Sequence, residues 1–517
     1  MRRPHVIPVD AAAREHRDAR LARSGWIAGA AVLLLLVCVQ PLRDTDVWWH
    51  LALGRYITVH GIPAHEPFSF LPAAYPWVGQ QWLYEVVLAG LIGAGGPALA
   101  SVVMGTAAVL AIVIAAFALP RDARVPGAWM AVAMVLSGLV MAQVLGVRGQ
   151  VLSVLGLALV LLVVRRWRDG RNGFLWLLPP LFLVWANVHA GFIAGLMLLA
   201  ATLLIVGRGA SGAAPSRRHL GLALLASVAA TLVNPAGPGI YPYILETFTN
   251  PTLTQTIVEW ASPDFHNVWL RLFEGEVILL VVLWVASGGP DAVDAAFAGG
   301  TLVATLFAQR NVSLFAVVAI PQVALYGARA WRMHVAPRMS GRWRFAPRRA
   351  AVLTLTAAGA VALAVAVTLG PELTPTAEAD SVASRYPVAP ASYVAAHYAG
   401  QRLYSIDTWG GYLVYRFPDQ RVVFLYDETA VFGNAALQRY LDIHLLRKGW
   451  PQVLKSEQIE HAIVPLQSQE TSALHELGWT IDCYDAASGS VVMSAAPASA
   501  GIAQTALEIP LADPTPC

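Results

Sequence analysis

Asp44-Thr45-Asp46-Val47-Trp48-Trp49-His50 follows directly on the first long hydrophobic run of the chain, Trp26 to Leu42. Two carboxylates and an imidazole stand where a membrane helix would meet water. Beside them are two tryptophans of the type that anchors helices at headgroup level. Ionisable groups at that depth are costly and are kept where something uses them. The chemistry open to them depends on which side of the membrane they occupy.

Composition supports a membrane setting. Hydrophobic residues make up 57% of the 517 and charged residues 13%, which excludes an ordinary soluble globule and points to a polytopic α-helical membrane protein. Spans need about 20 apolar residues. They are expected near Trp26–Leu42, Pro97–Leu119, Ala128–Leu145, Gln150–Val164, Phe174–Asn187, Gly191–Val206, Leu220–Val233, Glu276–Ser287, Ala292–Ala308, Val312–Ala328 and Ala350–Leu369. Trp82 to Gly93 is too short to cross and carries Glu85, so it reads as an interfacial piece.

Charge tests this threading. Only Lys448 and Lys455 are lysines, so nearly all the positive charge is arginine. The segments assigned inside, 1–25, 120–127, 165–172, 207–219, 288–291 and 329–349, hold 22 arginines. The outer connections hold five: Arg43, Arg55, Arg148, Arg271 and Arg310. That asymmetry places the N-terminus in the cytoplasm and the C-terminus outside, with eleven spans. It also accounts for the arginines without a nucleic-acid partner. No small-residue cleavage site follows the first span, so it reads as an uncleaved helix.

Four regions follow. Residues 1–25 are a basic cytoplasmic segment, and 26–370 a transmembrane domain whose first outer loop is 43–96. Residues 371–495 read as an extracytoplasmic α/β domain, and 496–517 as a disordered tail. In the α/β domain, Arg402–Asp407, Arg421–Asp427, His461–Leu466, Thr480–Tyr484 and Ser490–Ser494 read as strands, Asn434–Leu446 and Ser472–Leu477 as helices. Of the three cysteines, Cys38 lies in the first span; Cys483 and Cys517 lack metal-ligand spacing and are available to pair outside the cytoplasm.

The outer face then collects acids, imidazoles, amides and a few arginines. Asp44 to Tyr56 reads as an interfacial helix on which Asp46, His50 and Gly54 share a face, while Trp48 and Leu51 enter lipid or protein. Asp46, Asp44 and His50 are the catalytic candidates, because a carboxylate held there can deprotonate or orient a hydroxyl. A plain i, i+4 pair of Asp46 and His50 on a solvated helix is the structural alternative. Arg148 in LGVRGQVL and Arg310 in AQRNVSLF suit bidentate contact with phosphate oxygens, or headgroup snorkelling. His189 in WANVHAGF fits a substrate contact or a clamp between helices. Glu259, beside Trp260, offers a carboxylate next to an aromatic face suited to a sugar; Arg55 and Glu85 complete the substrate-binding candidates.

The stretches DTDVWWHLALGRYITVHGIPAHEPFSF (44–70) and PWVGQQWLYEVVLAGLIGAGG (76–96) resemble the GT-C class of membrane glycosyltransferases. That class includes protein O-mannosyltransferases, aminoarabinose transferases and oligosaccharyltransferases, and the likeness is to a mostly uncharacterised bacterial branch. It extends through VNPAGPG, VEWASPDF, AQRNVSLFA and WGGYLVYRF. The resemblance implies inverting transfer of a hexosyl or pentosyl group from a polyprenyl-phosphate donor to an extracytoplasmic acceptor at the bacterial plasma membrane. It matches Asp46, or Asp44, to the first-loop acid that orients or deprotonates the acceptor. Arg148 and Arg310 are matched by no motif. A divalent metal ion is the one cofactor left open, with Asp44, Asp46 and His50 as its ligands. Gln80-Gln81 and Leu425-Tyr426-Asp427-Glu428 depart from the pattern of the class. Two other readings are a transporter or flippase of a lipid-linked substrate, and a non-catalytic membrane scaffold.

Overall fold

The computed structural model describes residues 9–73, 75–206, 216–338, 347–495 and 515–517. Its helices begin with α1 (Val9–Cys38), α2 (Val47–His60), α3 (Trp82–Ala116), α4 (Gly127–Met141), α5 (Gln150–Arg168), α6 (Leu178–Val188) and α7 (Phe192–Val206). They continue with α8 (Arg217–Thr231), α9 (Ile240–Thr249), α10 (Pro251–Thr256), α11 (Val268–Ala286), α12 (Ala292–Phe307), α13 (Val312–Ala330) and α14 (Pro347–Glu372). The C-terminal part adds α15 (Pro375–Ala383), α16 (Val388–His397), α17 (Asp407–Arg416), α18 (Gly433–His444), α19 (Trp450–Ser456) and α20 (Gln469–Glu476). The chain forms two compact units, each assembled from separated segments.

The helical unit comprises Met1–Gln40, Ser101–Gly237 and Thr254–Glu372. Five described helical stretches are long and apolar enough to cross a membrane: Arg20–Cys38, Trp82–Ala116, Gln150–Arg168, Gln309–Arg338 and Val352–Glu372. Four shorter apolar ones accompany them. Helix α13 is buried along almost its whole length against α4, α5, α11 and α12, which explains why its sequence is apolar on every side. Glu276 is fully buried in α11, where its carboxylate accepts from the Ser137 hydroxyl of α4 at 2.5 Å. A bond of that kind holds two helices where hydrophobic attraction between them is weak.

Helix α3 is interrupted at Gly95 and Gly96, whose backbones leave helical geometry (Gly96 φ 71°) before Pro97. Its first part, through Ala94, is therefore separated from the long apolar stretch that follows, as the shortness of Trp82–Gly93 suggests.

The second unit comprises Pro41–Ala100, Pro238–Leu253 and Leu373–Cys517, so residues 43–96 and the C-terminal region form one compact body. Its sheet has the order β1 (Leu403–Ser405), β2 (His461–Pro465), β4 (Ser490–Ser494), β3 (Thr480–Asp485). β1 runs parallel to β2, and β4 is antiparallel to both its neighbours. Arg421–Asp427 is not a strand. Only single bridges form there, Val423 with Leu403 on one side and with Ser69 of the first loop on the other. The segment is held as much by side chains as by a ladder: the Ser69 hydroxyl donates to the Phe424 carbonyl at 2.8 Å.

The far edge of the sheet is covered as well. Tyr484 bridges to Pro516, and Cys483 is disulfide-bonded to Cys517. An edge strand paired in this way no longer offers its backbone to other chains. Most of the segment expected to be disordered, 496–514, lies outside the described residues, as do residues 1–8 of the basic N-terminal segment.

Candidate active site

In the second unit the chain first turns, then coils. The Asp44 carboxylate accepts the backbone N–H of Asp46 at 3.2 Å, an Asx turn that shapes the loop ahead of α2. Asp46 occupies the N-cap position of α2, but its side chain does not cap the helix. Instead Oδ1 accepts the indole N–H of Trp49 at 3.3 Å. The Tyr386 hydroxyl donates to the Asp44 carbonyl at 3.2 Å and ties this turn to the C-terminal region.

Trp48 and Trp49 are 6% and 3% exposed, so they are core residues of this unit and not headgroup anchors. Trp48 meets Tyr386 and Tyr412 edge-on at 5.4 and 5.2 Å and lies tilted 5.2 Å from Tyr415. Trp49 lies 3.6 Å from the His50 ring and near Tyr426 and Trp77. The sequence places aromatic rings at the end of a span; only the fold supplies a protein surface that covers them.

Of the three residues expected to share a face of α2, His50 and Gly54 meet α3. His50 Nδ1 lies 3.2 Å from Glu85 Oε1, with both side chains buried. One turn on, Gly54 packs so tightly that an added Cβ would collide with the Glu85 carbonyl. Glu85 is thus the partner of His50. Arg55 stacks on Tyr415, its guanidinium 4.9 Å from the ring centre.

Two acids that the sequence did not single out as site residues belong to this neighbourhood. Asp427 is held well above the usual carboxylate range, first by desolvation, then by the charges of Asp46 and Asp407. The hydroxyl of Thr45 donates to it, and Asp44 adds further repulsion. A buried carboxyl facing other acids keeps its proton. Glu66 accepts from the N–H groups of Phe68 and Ser69 at 2.6 and 2.8 Å and from the Tyr426 hydroxyl at 2.9 Å. Burial nevertheless outweighs these bonds and pushes it up to about 7. Nearby, Gln80 donates to the Tyr243 hydroxyl, which donates to Glu428 at 3.3 Å. The LYDE stretch was visible in the sequence as a departure from pattern, but nothing there tells which acids it faces.

Glu66 has a pH consequence. Its folded pKa lies above its ordinary value of 4.5, so the folded state binds the proton more tightly. Its contribution to stability is full below about pH 4.5 and is lost as pH rises through about 7. At most it is about 3 kcal/mol, from 1.36 kcal/mol per pKa unit. Glu66→Gln should flatten this dependence, read as amide exchange at Phe68 and Ser69 between pH 5 and 8. An unchanged slope in the variant would refute the assignment.

In the helical unit a second cluster forms. Arg148 Nη1 donates to Glu259 Oε1 at 2.7 Å, and the Arg310 guanidinium lies 4.7 Å over the Trp260 ring. Gln150, two residues after Arg148, donates its amide to the Arg310 carbonyl at 2.5 Å. Gln309 donates to the Val258 carbonyl at 2.6 Å. Three substrate-binding candidates, Arg148, Glu259 and Arg310, are therefore neighbours, brought together from positions far apart in the chain. Glu259 meets an arginine here, where the sequence suggested a sugar contact.

His189 follows α6 at its C-cap and bonds to Ser153 of α5. Trp185 Nε1 donates to Ser153 Oγ at 2.8 Å, Ser153 Oγ lies 2.7 Å from His189 Nδ1, and the Gly191 N–H reaches the same nitrogen at 3.0 Å. Nδ1 therefore accepts, and the ring proton belongs on Nε2.

Among the described residues no group of three or more His, Cys, Asp or Glu side chains is arranged to hold a metal ion. Asp44, Asp46 and His50 do not form such a set, since His50 turns Nδ1 to Glu85.

No protein-family profile matches the chain, and no curated protein matches its sequence. Solved structures do. The oligosaccharyltransferase AglB of Archaeoglobus fulgidus, in complex with an inhibitory peptide and a dolichol-phosphate, aligns at a TM-score of 0.56 and 12% identity. The alignment covers 86% of this chain and 69% of that one. The apo form of the Archaeoglobus fulgidus oligosaccharyltransferase aligns at 0.51 and 12% identity, over 86% and 70%. The arabinofuranosyltransferase AftD from Mycobacteria aligns at only 0.44 and 12% identity, over 91% of this chain and 40% of that one. At the level of fold, this chain is similar to the Archaeoglobus fulgidus oligosaccharyltransferase.

Proposed function

We propose that this protein is an integral membrane glycosyltransferase with eleven spans. It transfers a sugar, with inversion, from a polyprenyl-phosphate-linked donor to an extracytoplasmic acceptor. The observation that carries this reading is the first-loop acid turn, with Asp46 at the head of α2 beside Asp44 and the buried Asp427, on a chain that shares the fold of oligosaccharyltransferases. A carboxylate held at the head of a helix is suited to take a proton or orient a hydroxyl.

In the proposed step the acceptor oxygen attacks the anomeric carbon from the face opposite the phosphate. The bond from that carbon to the phosphate oxygen breaks, polyprenyl phosphate leaves, and the acceptor proton passes to Asp46. Arg148 and Arg310, which lie together in the helical unit, are proposed as phosphate-binding residues. The Arg310 guanidinium lies 4.7 Å over the Trp260 ring, and planar guanidinium groups match phosphate oxygens. The disulfide between Cys483 and Cys517 accords with an oxidising, extracytoplasmic location for the C-terminal region.

Arg310→Gln is expected to raise the KM for donor by about 10- to 100-fold, the range of a charge-assisted hydrogen bond. The KM for acceptor should be unchanged. Equal effects on both substrates would count against a phosphate role. The overall test is transfer of labelled sugar from a panel of polyprenyl-phosphate donors by purified protein. If no donor is consumed while a lipid-linked substrate moves between leaflets, the protein is a transporter instead.

A further inference from the structure

A second concentration of charge lies in the helical unit, apart from Arg148 and Arg310. Arg23, Arg121, Arg166 and Arg171 line a cavity of about 290 Å³. The remaining wall is Phe117, Leu119, Pro120 and Ala123, and no acidic residue lines it. The arginines come from three places in the chain: α1, the connection between α3 and α4, and the end of α5 with the residues after it. Those are the segments that the arginine asymmetry assigns to the cytoplasmic side.

The positive-inside rule asks only for arginines near helix ends. It does not ask that four from separate segments surround one cavity, and the local bonds show how these are placed. Arg166 donates to the carbonyls of Phe117 at 3.2 Å and Leu119 at 3.4 Å, fixing the turn after α3 against α5. Its one acidic neighbour is Asp169, at 3.6 Å. Arg23 directs Nη2 to Met130 Sδ at 3.2 Å and packs 5.9 Å from the Phe117 ring centre. Its Nε is buried with no hydrogen-bond partner among the described residues. Four guanidinium groups around a cavity with no acidic residue in its lining are stabilised by an anion. Planar guanidinium groups match phosphate oxygens in particular.

We propose that this cavity binds a phosphate-bearing anion. Its apolar wall beside the spans points to the headgroup of an anionic phospholipid, held at the arginine-rich end of the bundle. This assignment does not depend on the proposed sugar transfer.

The test uses the full-length protein and the double variant Arg121→Gln/Arg171→Gln, both exposed positions whose loss leaves the Arg166 bonds in place. Native mass spectrometry would count phosphatidylglycerol retained from mixed phosphatidylcholine and phosphatidylglycerol nanodiscs. Two arginines at such a headgroup correspond to about thirty-fold weaker retention in the variant. Arg217→Gln/Arg218→Gln, which removes the same charge from α8, should retain phosphatidylglycerol like wild type. A parallel arm titrates inorganic phosphate into lipid-depleted protein. Binding there that depends on Arg121 and Arg171, without their effect on lipid, would assign the site to a soluble phosphate. Equal lipid loss in both double variants, or no loss in either together with no arginine-dependent phosphate binding, overturns the proposal.

Discussion

Asp46→Asn is expected to lower sugar transfer by about 10²- to 10⁴-fold, the usual contribution of a positioned general base. The substitution preserves shape and can still accept the Trp49 indole N–H at Oδ1, so α2 and its turn should survive. Donor affinity should change little, because the proposed phosphate contacts are Arg148 and Arg310. Asp427→Asn supplies the contrast. Burial and the neighbouring acids keep Asp427 protonated, and an amide resembles a neutral carboxylic acid, so activity should fall less than about tenfold. Single-turnover transfer of labelled sugar would compare the two. If Asp46→Asn is as active as wild type, the catalytic assignment fails. If Asp427→Asn is the more damaging change, Asp427 works as the ionised group and the roles are reversed.

Trp48→Ala should be the most disruptive single change to the second unit. The side chain is nearly fully buried, and its ring touches Tyr386, Tyr412 and Tyr415, which belong to a distant part of the sequence. Truncating a buried tryptophan costs about 3–5 kcal/mol, and each edge-on aromatic pair adds about 0.5–1.5 kcal/mol beyond area. A loss of that size opens the loop turn from the α16–α17 region before it unfolds the whole chain. Limited proteolysis within 41–81 and hydrogen exchange at Val47–His60 are the readouts. Trp48→Phe, which keeps a ring, should recover much of the loss. An exchange pattern in Trp48→Ala identical to wild type would show that Trp48 carries little of this packing, as expected of a residue facing lipid.

The contrast between those two readings of Trp48 shows what was legible in advance. A tryptophan beside a span has the same signature whether lipid or protein covers it, because the signature is proximity to a hydrophobic run. The strand boundaries of β2, β3 and β4 were readable because alternation and flanking turns are local. Arg421–Asp427 has the same local character yet makes only bridges, since its neighbours are Ser69 and Leu403 and neither continues the pairing. The pairing of Arg148 with Glu259 was likewise hidden: 111 residues separate them, and no local rule relates their positions.

Composition and hydropathy runs determined by themselves that this is a helical, membrane-type chain with acids clustered after its first long apolar run. Those properties follow from transfer free energies that each residue carries wherever it lies in the fold. The tertiary structure alone decided that the first loop joins the C-terminal region in one compact unit, that Glu85 answers His50, and that Asp427 sits among the first-loop acids. Burial and the distance between charges set those outcomes, and both exist only once segments hundreds of residues apart are packed together.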